Sequence, residues 1–373
     1  MALGSIMLYS VSPILSQKLT GSAAANYFFV NQLKYIVVGL VAWVAASALP
    51  FWRWRQWAPW LLGAALLSLI GLMIPALAQS ANGATRWVNL GFVSFQPAEA
   101  LKFSLIIYLA AWLERRRDDL RTMNAVVPFS IIVGVICFII VVLQRDMGTM
   151  MVVALASLGM YFVAGIRWTH LAAIVGVSGL LGWVAIVTAS HRLNRLTTFL
   201  NPSNDIMNTG YHLNQALIAV GSGGLLGLGL GKSLQVYGYL PEAASDSIFA
   251  IIAEEFGLFG GLAVILLFAV LGYRAMRIAS HAPDAFSCYL ASGIGFWFVI
   301  QAFINIAAMV SLLPLTGIPL PFISAGGTNL VLSLLAAGIL VNISKYTVRE
   351  GSDENRRQRG RVGRPHLANF GRR

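Results

Sequence analysis

Only 14 Asp and Glu and 26 Lys and Arg stand among 373 residues, so each charge set in apolar sequence calls for a physical reason. Glu99 and Lys102 lie at i and i+3 at the start of the run 97–113, on one helix face, where an ion pair would neutralise both. That spacing suits a structural salt bridge or a pair facing a substrate. Asp146, beside Arg145 in QRDMGT, precedes an apolar run, a common place for a helix N-cap. The third group is acidic: Glu242, Asp246, Glu254 and Glu255. Asp246 stands just before an apolar run, whereas Glu254 and Glu255 fall inside it and must be protonated or paired, so packing and hydrogen bonding among helices is their expected work. Carboxylates of this kind can bind a coupling ion or move a proton, and nearby cations can hold an anionic headgroup.

The glycine run GSGGLLGLGLGKS imitates a phosphate loop but fails on spacing. GxxxxGK[ST] would need glycine where Leu226 stands, and no GxGxxG fits. Tight turns at helix ends account for most of these glycines.

The elements that must position these residues follow from composition. Hydrophobic residues make up 58% of the chain and charged residues 11%, against about 25% charged in a soluble domain, so part of the solvent must be lipid. Disordered, collagen-like and disulfide-scaffold classes are excluded: there is no Gly-X-Y period, and the two cysteines, Cys137 and Cys288, read as inert core thiols. A spanning helix needs roughly 20 apolar residues. Runs near 29–49, 57–78, 97–113, 125–143, 147–165, 169–188, 248–273, 286–312 and 326–344 meet that need, and residues 2–15 read as a short first span rather than a signal peptide. The expected architecture is an all-α integral membrane protein of about ten spans, with a large extracytoplasmic loop at 189–246 between the seventh and eighth.

Charge sets the orientation. Eighteen of the 26 Lys and Arg fall in one alternating set of connections, which includes Arg53, the cluster Arg115 to Arg121, Arg274, Arg277 and the segment from Lys345 onward. That set is read as cytoplasmic, with both termini on that side. Residues 1–345 then form one polytopic domain and 346–373 a basic, disordered cytoplasmic tail. The tail is better suited to anionic lipid or a protein partner than to nucleic acid. The segment 189–246 is apolar enough to form re-entrant or interfacial structure over a cavity.

Two function classes fit charges of both signs at the outer face: a transporter with buried acids, or an enzyme acting on a lipid-linked substrate. A structural scaffold needs no charged cavity. The absence of an evident two-fold repeat of broken spans weighs against the transporter.

The strings RWVNLGFVSFQPAEALK, LQRDMGTMM, NRLTTFLNPSND, GYHLNQALIAVGSGGLLGLGLGKS, YGYLPEAASDSIFAIIAEEFGLFGG and TGIPLPFISAGGTNL appear in this order between residues 86 and 330. They resemble the successive signatures of the shape, elongation, division and sporulation (SEDS) family, and the division branch more than the elongation branch. The resemblance implies a peptidoglycan glycosyltransferase that polymerises lipid II at the outer face of the bacterial cytoplasmic membrane. The alternatives are an elongation-type polymerase or, from another class, a lipid II flippase.

The resemblance also implies roles. Asp246 matches the family's catalytic acid, a general base toward the acceptor sugar hydroxyl. Arg86, Lys102 and Arg195 are the cations expected near the leaving undecaprenyl pyrophosphate. Glu99 and Lys102 match QPxExxK, Asp146 matches the outward QxDxGT acid, and Gln215 and Ser324 match further cavity positions. Three departures stand out: Ser247 replaces an aromatic, Ala325 replaces the tyrosine of SYGG, and Arg145 replaces proline. A class B penicillin-binding transpeptidase is the implied partner, beside other division or elongation membrane proteins. No organic cofactor is implied. A divalent cation, Mg²⁺ or Mn²⁺, would suit a pyrophosphate leaving group, although no set of carboxylates at metal-ligand spacing demands it.

Overall fold

The computed structural model describes residues 1–20, 27–74, 77–81, 84–89, 94–187, 190–200 and 209–347. Apolar runs of helix length become helices because lipid offers backbone amides no partner, and the helix satisfies them internally. In chain order these are α1 (Ala2–Thr20), α2 (Tyr27–Ala48), α3 (Phe51–Ser68), α4 (Pro97–Arg115), α5 (Met123–Leu143), α6 (Met147–Val163), α7 (Trp168–Val187), α8 (Ser190–Leu200), α9 (Thr209–Ser222), α10 (Ile248–Ser280), α11 (Ala285–Met309) and α12 (Gly327–Lys345). Among the described residues six helices, α2, α3, α5, α10, α11 and α12, are long and apolar enough to cross a membrane, and α1, α6 and α7 contain shorter apolar helices. The basic tail lies outside the described residues beyond Thr347.

Two elements differ from the sequence expectation. The span expected over 57–78 lies at Phe51–Met73 instead. Its helix begins at Phe51, behind Pro50, and gives way after Ser68 to a 3₁₀ turn, Leu69–Met73. Arg55 therefore rides on the first turns of α3 and pairs with Glu114 at 2.9 Å. The connection that follows is a small antiparallel sheet of β1 (Ala78–Ala81), β2 (Ala84–Asn89) and β3 (Ser94–Phe95), with Gln79 opposite Trp87 and Val88 opposite Phe95. Its β-branched and aromatic residues favour a pleated, half-buried surface, a signal hidden by the neighbouring apolar spans.

The segment between α7 and α10 is folded. In α8, Leu193, Leu196 and Leu200 form one stripe and Arg195 lies off it, the pattern of an interfacial helix. After α9 the glycine run turns back onto α10. There the helix breaks at Gly257, whose φ of 65° and ψ of −161° are not helical. The break frees carbonyls, and the glycine run takes them: the Leu228 and Gly229 amides donate to the Glu254 and Glu255 carbonyls, both at 3.0 Å. In return the Leu258 amide donates to the Gly224 carbonyl at 2.9 Å. Gly227 and Gly257 both take positive φ, and a Cβ on either would strike the other segment's backbone. These glycines join two irregular segments by backbone contact, which is how non-helical chain is tolerated at membrane depth.

Two apolar cores result. One joins α3 to α6 with α11 and α12. The other gathers α1, α9, the first turns of α10 and residues 315–323 around the turn that carries Asp246.

Candidate active site

Asp246 is presented by the turn 241–247. Glu242, at φ 50°, accepts on its carbonyl from the Ser245 amide at 3.0 Å and the Ser247 amide at 3.2 Å, while its carboxylate accepts from Ser245 Oγ at 2.8 Å. A non-glycine residue at positive φ is strained and persists only where its surroundings enforce it. Three contacts do so. Ser324 Oγ donates to the Ser245 carbonyl at 2.6 Å, the Ala325 amide donates to the Ala244 carbonyl at 2.8 Å, and Asn305 Nδ2 donates to the Asp246 carbonyl at 2.8 Å. Ser324 also accepts from the Leu320 amide at 2.7 Å, so its hydroxyl is committed to backbone on both sides.

The Asp246 carboxyl faces Gly317, where an added Cβ would meet its Oδ2 at 3.2 Å. Withdrawal from water and, after it, the negative charge of Glu242 push its pKa up to about 7; Asp146 adds to the rise, and Arg86 and Arg195 oppose it. Asp246, Glu242, Asp146, Arg86 and Arg195, distant in sequence, thus act on one another across one site.

Each is held by its own element. Arg86, on β2, donates to the Gln144 carbonyl at 3.3 Å and the Arg145 carbonyl at 3.1 Å, tying the small sheet to the turn before α6. Asp146 caps α6: its Oδ1 accepts from the Thr149 amide and its Oδ2 from Thr149 Oγ1, both at 2.9 Å. Arg145 sits at φ 51°, which proline, held near −65°, cannot reach. The arginine in place of proline therefore goes with a different local backbone. Arg195 projects from α8. Gln215 lies half-buried on α9, and no hydrogen bond joins it to the residues above.

Glu99 and Lys102 lie deeper, both 1% exposed. Lys102 Nζ donates to Glu99 Oε1 at 3.0 Å, stands 2.8 Å from Oε2, donates to Gln301 Oε1 at 2.7 Å and lies 4.7 Å from the Trp297 ring. Gln301 reaches on to the Pro319 carbonyl at 2.8 Å and Asn329 Oδ1 at 3.3 Å. The pair is the hub of a polar network linking α4, α11, α12 and the 316–320 segment, and the field of Asp146 reaches Lys102. Glu254 and Glu255 are held as expected of packing groups. Glu254 accepts from Ser233 Oγ and from the Leu234 amide at 3.0 Å, and Glu255 accepts from Ser10 Oγ at 3.1 Å.

Sequence reasoning missed five contributors. Trp297, Gln301 and Asn305 recur at i, i+4 and i+8 along α11, a polar-edged stripe in an apolar run that could have flagged them. His212, within the GYHLNQ motif, contacts Ser247 Oγ through Nε2 at 2.7 Å, and burial holds its pKa below the ordinary histidine value. Ser247 thus carries a histidine contact where the family pattern has an aromatic. Gln144 is fully buried, and neither atom of its amide has a partner among the described residues.

Comparison with known proteins identifies the fold and the family. The family model for FtsW, RodA and SpoVE, described as cell cycle protein, matches residues 1–349. Stage V sporulation protein E of Bacillus subtilis is 38% identical over 351 residues, covering 93% of this chain and 94% of its own. The probable peptidoglycan glycosyltransferase FtsW of Coxiella burnetii is 38% identical over 353 residues, with the same coverage of 93% and 94%. Among solved structures, RodA of Thermus thermophilus superposes with a TM-score of 0.63 at 25% identity over 94% of each chain. A chain of a peptidoglycan synthase complex that coordinates polymerization and crosslinking superposes at 0.73 and 24% identity, covering 92% of this chain and 98% of that one. Matched along almost its whole length, the chain belongs to the FtsW/RodA/SpoVE family of integral membrane proteins, the family its ordered motifs resemble.

Proposed function

We propose that the protein is a peptidoglycan glycosyltransferase that polymerises lipid II, with Asp246 as general base. The observation that carries this reading is a carboxyl whose pKa is pushed up to about 7, in the field of two arginines, on a turn braced from three directions. A base near the working pH is ionised enough to accept a proton and basic enough to pull it. Asp246 would take the proton of the acceptor sugar hydroxyl as that oxygen attacks the donor anomeric carbon. The bond from that carbon to undecaprenyl pyrophosphate breaks with inversion, and no covalent enzyme intermediate forms. Charge developing on the pyrophosphate requires fixed cations, and Arg86 and Arg195 supply them. The field of Asp146 acts on Arg195, and Gln215 would meet the substrate from α9. Lys102 and Glu99 act from beneath, through Gln301 and the 316–320 segment, and Ser324 positions the turn of Asp246.

Among the described residues no three His, Cys, Asp or Glu side chains form a group able to hold a metal ion. A divalent cation, Mg²⁺ or Mn²⁺, would need only one or two carboxylates together with the pyrophosphate of the substrate, and no step here is assigned to one.

In this reading ten spans cross the membrane: α1 to α7, then α10 to α12. The folded segment 189–246 lies outside between the seventh and eighth, the Asp246 site faces outward and both termini face the cytoplasm. The distribution of Lys and Arg supports that orientation. Relatives named FtsW and stage V sporulation protein E support a septal rather than an elongation role. The likeness to a synthase complex supports a class B penicillin-binding transpeptidase as partner, within a larger assembly of division proteins.

The test is glycan-chain formation from labelled lipid II by the purified protein with its transpeptidase, native against Asp246→Asn at equal folding. Polymer from the native form alone is expected. Equal polymer from both would remove Asp246 from the chemistry, and lipid II crossing liposomes without polymer would point to a flippase.

A further inference from the structure

At the end of the molecule opposite Asp246, α10 and α12 part to leave a groove of about 780 Å³. The two helices start from the same place, since Ser324 and Ala325, just before α12, bond the turn just before α10. They run in parallel to the far membrane face, α10 over 33 residues with its break at Gly257 near the start. Its wall changes character along that direction on both sides at once. On α12 the lining residues Ala337, Leu340, Val341 and Ser344 follow i, i+3, i+4 and i+7, so one stripe faces the groove, apolar first and polar last. On α10, Leu271 comes first, then Arg274, Arg277 and His281, which share one narrow face.

Among the described residues no acidic side chain pairs with Arg274 or Arg277: the ion pairs are Arg55 with Glu114 and Glu99 with Lys102, and no acidic side chain lines the groove. Lys345 is otherwise engaged, donating to the Ser47 carbonyl at 2.7 Å. The hydroxyls of Ser344 and Thr347 donate to backbone carbonyls within their own turn, leaving guanidinium N–H groups as the strong donors toward a ligand. Two helix C-termini point here, each equivalent to about half a negative charge. Two full guanidinium charges outweigh them, and the rim stays positive.

An apolar slot that opens onto a two-arginine rim at a membrane face matches one kind of molecule, an acyl chain joined to a phosphodiester. We propose that this groove is a binding site for an anionic glycerophospholipid of the leaflet opposite Asp246. Arg274 and Arg277 hold the phosphodiester, and a chain lies along Leu271 and Leu340. Basic pockets between spanning helices are a recurrent means of binding such headgroups.

The purified full-length protein is titrated with phosphatidylglycerol, with phosphatidylcholine of the same chains, and with water-soluble glycerol phosphate, and bound lipid is counted by native mass spectrometry. Phosphatidylglycerol should bind in preference to phosphatidylcholine, and R274Q/R277Q should weaken it by about thirtyfold if each surface arginine contributes as such residues usually do. Val341→Trp keeps every charge but fills the slot, and should also lose the lipid. Binding unchanged in R274Q/R277Q, or equal for the two lipids, would overturn the proposal. Loss in R274Q/R277Q with full binding in Val341→Trp would also overturn it, showing diffuse surface charge instead of a groove. Displacement by glycerol phosphate at equal concentration would overturn the lipid assignment in favour of a free phosphate site. Both arginines are exposed, so their replacement leaves packing intact even should the tryptophan variant fail to fold.

Discussion

Asn305 Nδ2 donates both to the Asp246 carbonyl at 2.8 Å and to the Ile318 carbonyl at 2.7 Å, so a single amide on α11 fixes the separation between the proposed base and the 316–320 segment that backs it. Asn305→Leu removes both bonds and leaves two carbonyls short of a donor, at about 1–3 kcal/mol each. Glycan synthesis should fall at least tenfold by that estimate, while the protein still elutes as a folded monomer or complex; unchanged synthesis would show that the turn holds its shape without this clamp.

Asp246 must be ionised to act as a base, so activity should decline below about pH 7 and level off above it. The neighbouring charges set the sign of each shift. Glu242→Gln removes a charge that raises the Asp246 pKa and should move the inflection to lower pH; Arg86→Gln removes one that lowers it and should move the inflection up. The pH profile of kcat/KM for the three proteins checks this, and coincident profiles would refute the electrostatic coupling.

The same shift bears on stability. A carboxyl whose folded pKa is raised favours the folded state when protonated, and that contribution disappears as pH rises from about 4 through about 7. Asp246→Asn, which cannot ionise, should therefore unfold at higher temperature than the native protein at pH 8 and at nearly the same temperature at pH 4. Thermal unfolding in detergent at the two values measures the difference, and an equal gap at both would contradict it.

Lys102 and Glu99 form a buried pair with Gln301 as third partner. Removing one member of such a pair commonly costs about 3–5 kcal/mol because the other is left charged and unpaired. Lys102→Met should express poorly, and Glu99→Gln combined with Lys102→Met should recover much of the loss. A double variant no better than Lys102→Met would show that the pair's hydrogen bonds matter more than its charge balance.

Gly227 and Gly257 meet backbone to backbone at positive φ. Alanine at either position should cost more than the usual 1–3 kcal/mol of a strained residue, since the opposing segment must also move. Folded yield by size-exclusion chromatography should drop for both, with Gly221→Ala as control, because nothing lies within 4 Å of that site.

Much of this architecture could be read from residue order alone, for a physical reason. Lipid leaves the backbone one option over a long apolar run, so α2, α5, α11 and α12 follow from hydropathy. Lys and Arg, counted by connection, supplied an orientation, and Asp146 before an apolar run announced its cap. The acid Asp246 and its companions were legible through six motifs in family order rather than through spacing, since nothing local says that Arg86, Asp146 and Arg195 act on one carboxyl.

Contacts between distant segments belonged to the tertiary structure. The small sheet that carries Arg86 has strands too short to stand out between two spans. The break at Gly257 is invisible in a run of helical length, because the helix is interrupted only where the glycine run supplies replacement hydrogen bonds. Residue order showed that Glu99 and Lys102 share a helix face; only packing against Trp297 and Gln301 decided that they face protein. Hydropathy and charge are sums over neighbours in the chain and are readable there, whereas the protonation of Asp246 depends on charges brought close by folding, and only three dimensions contain them.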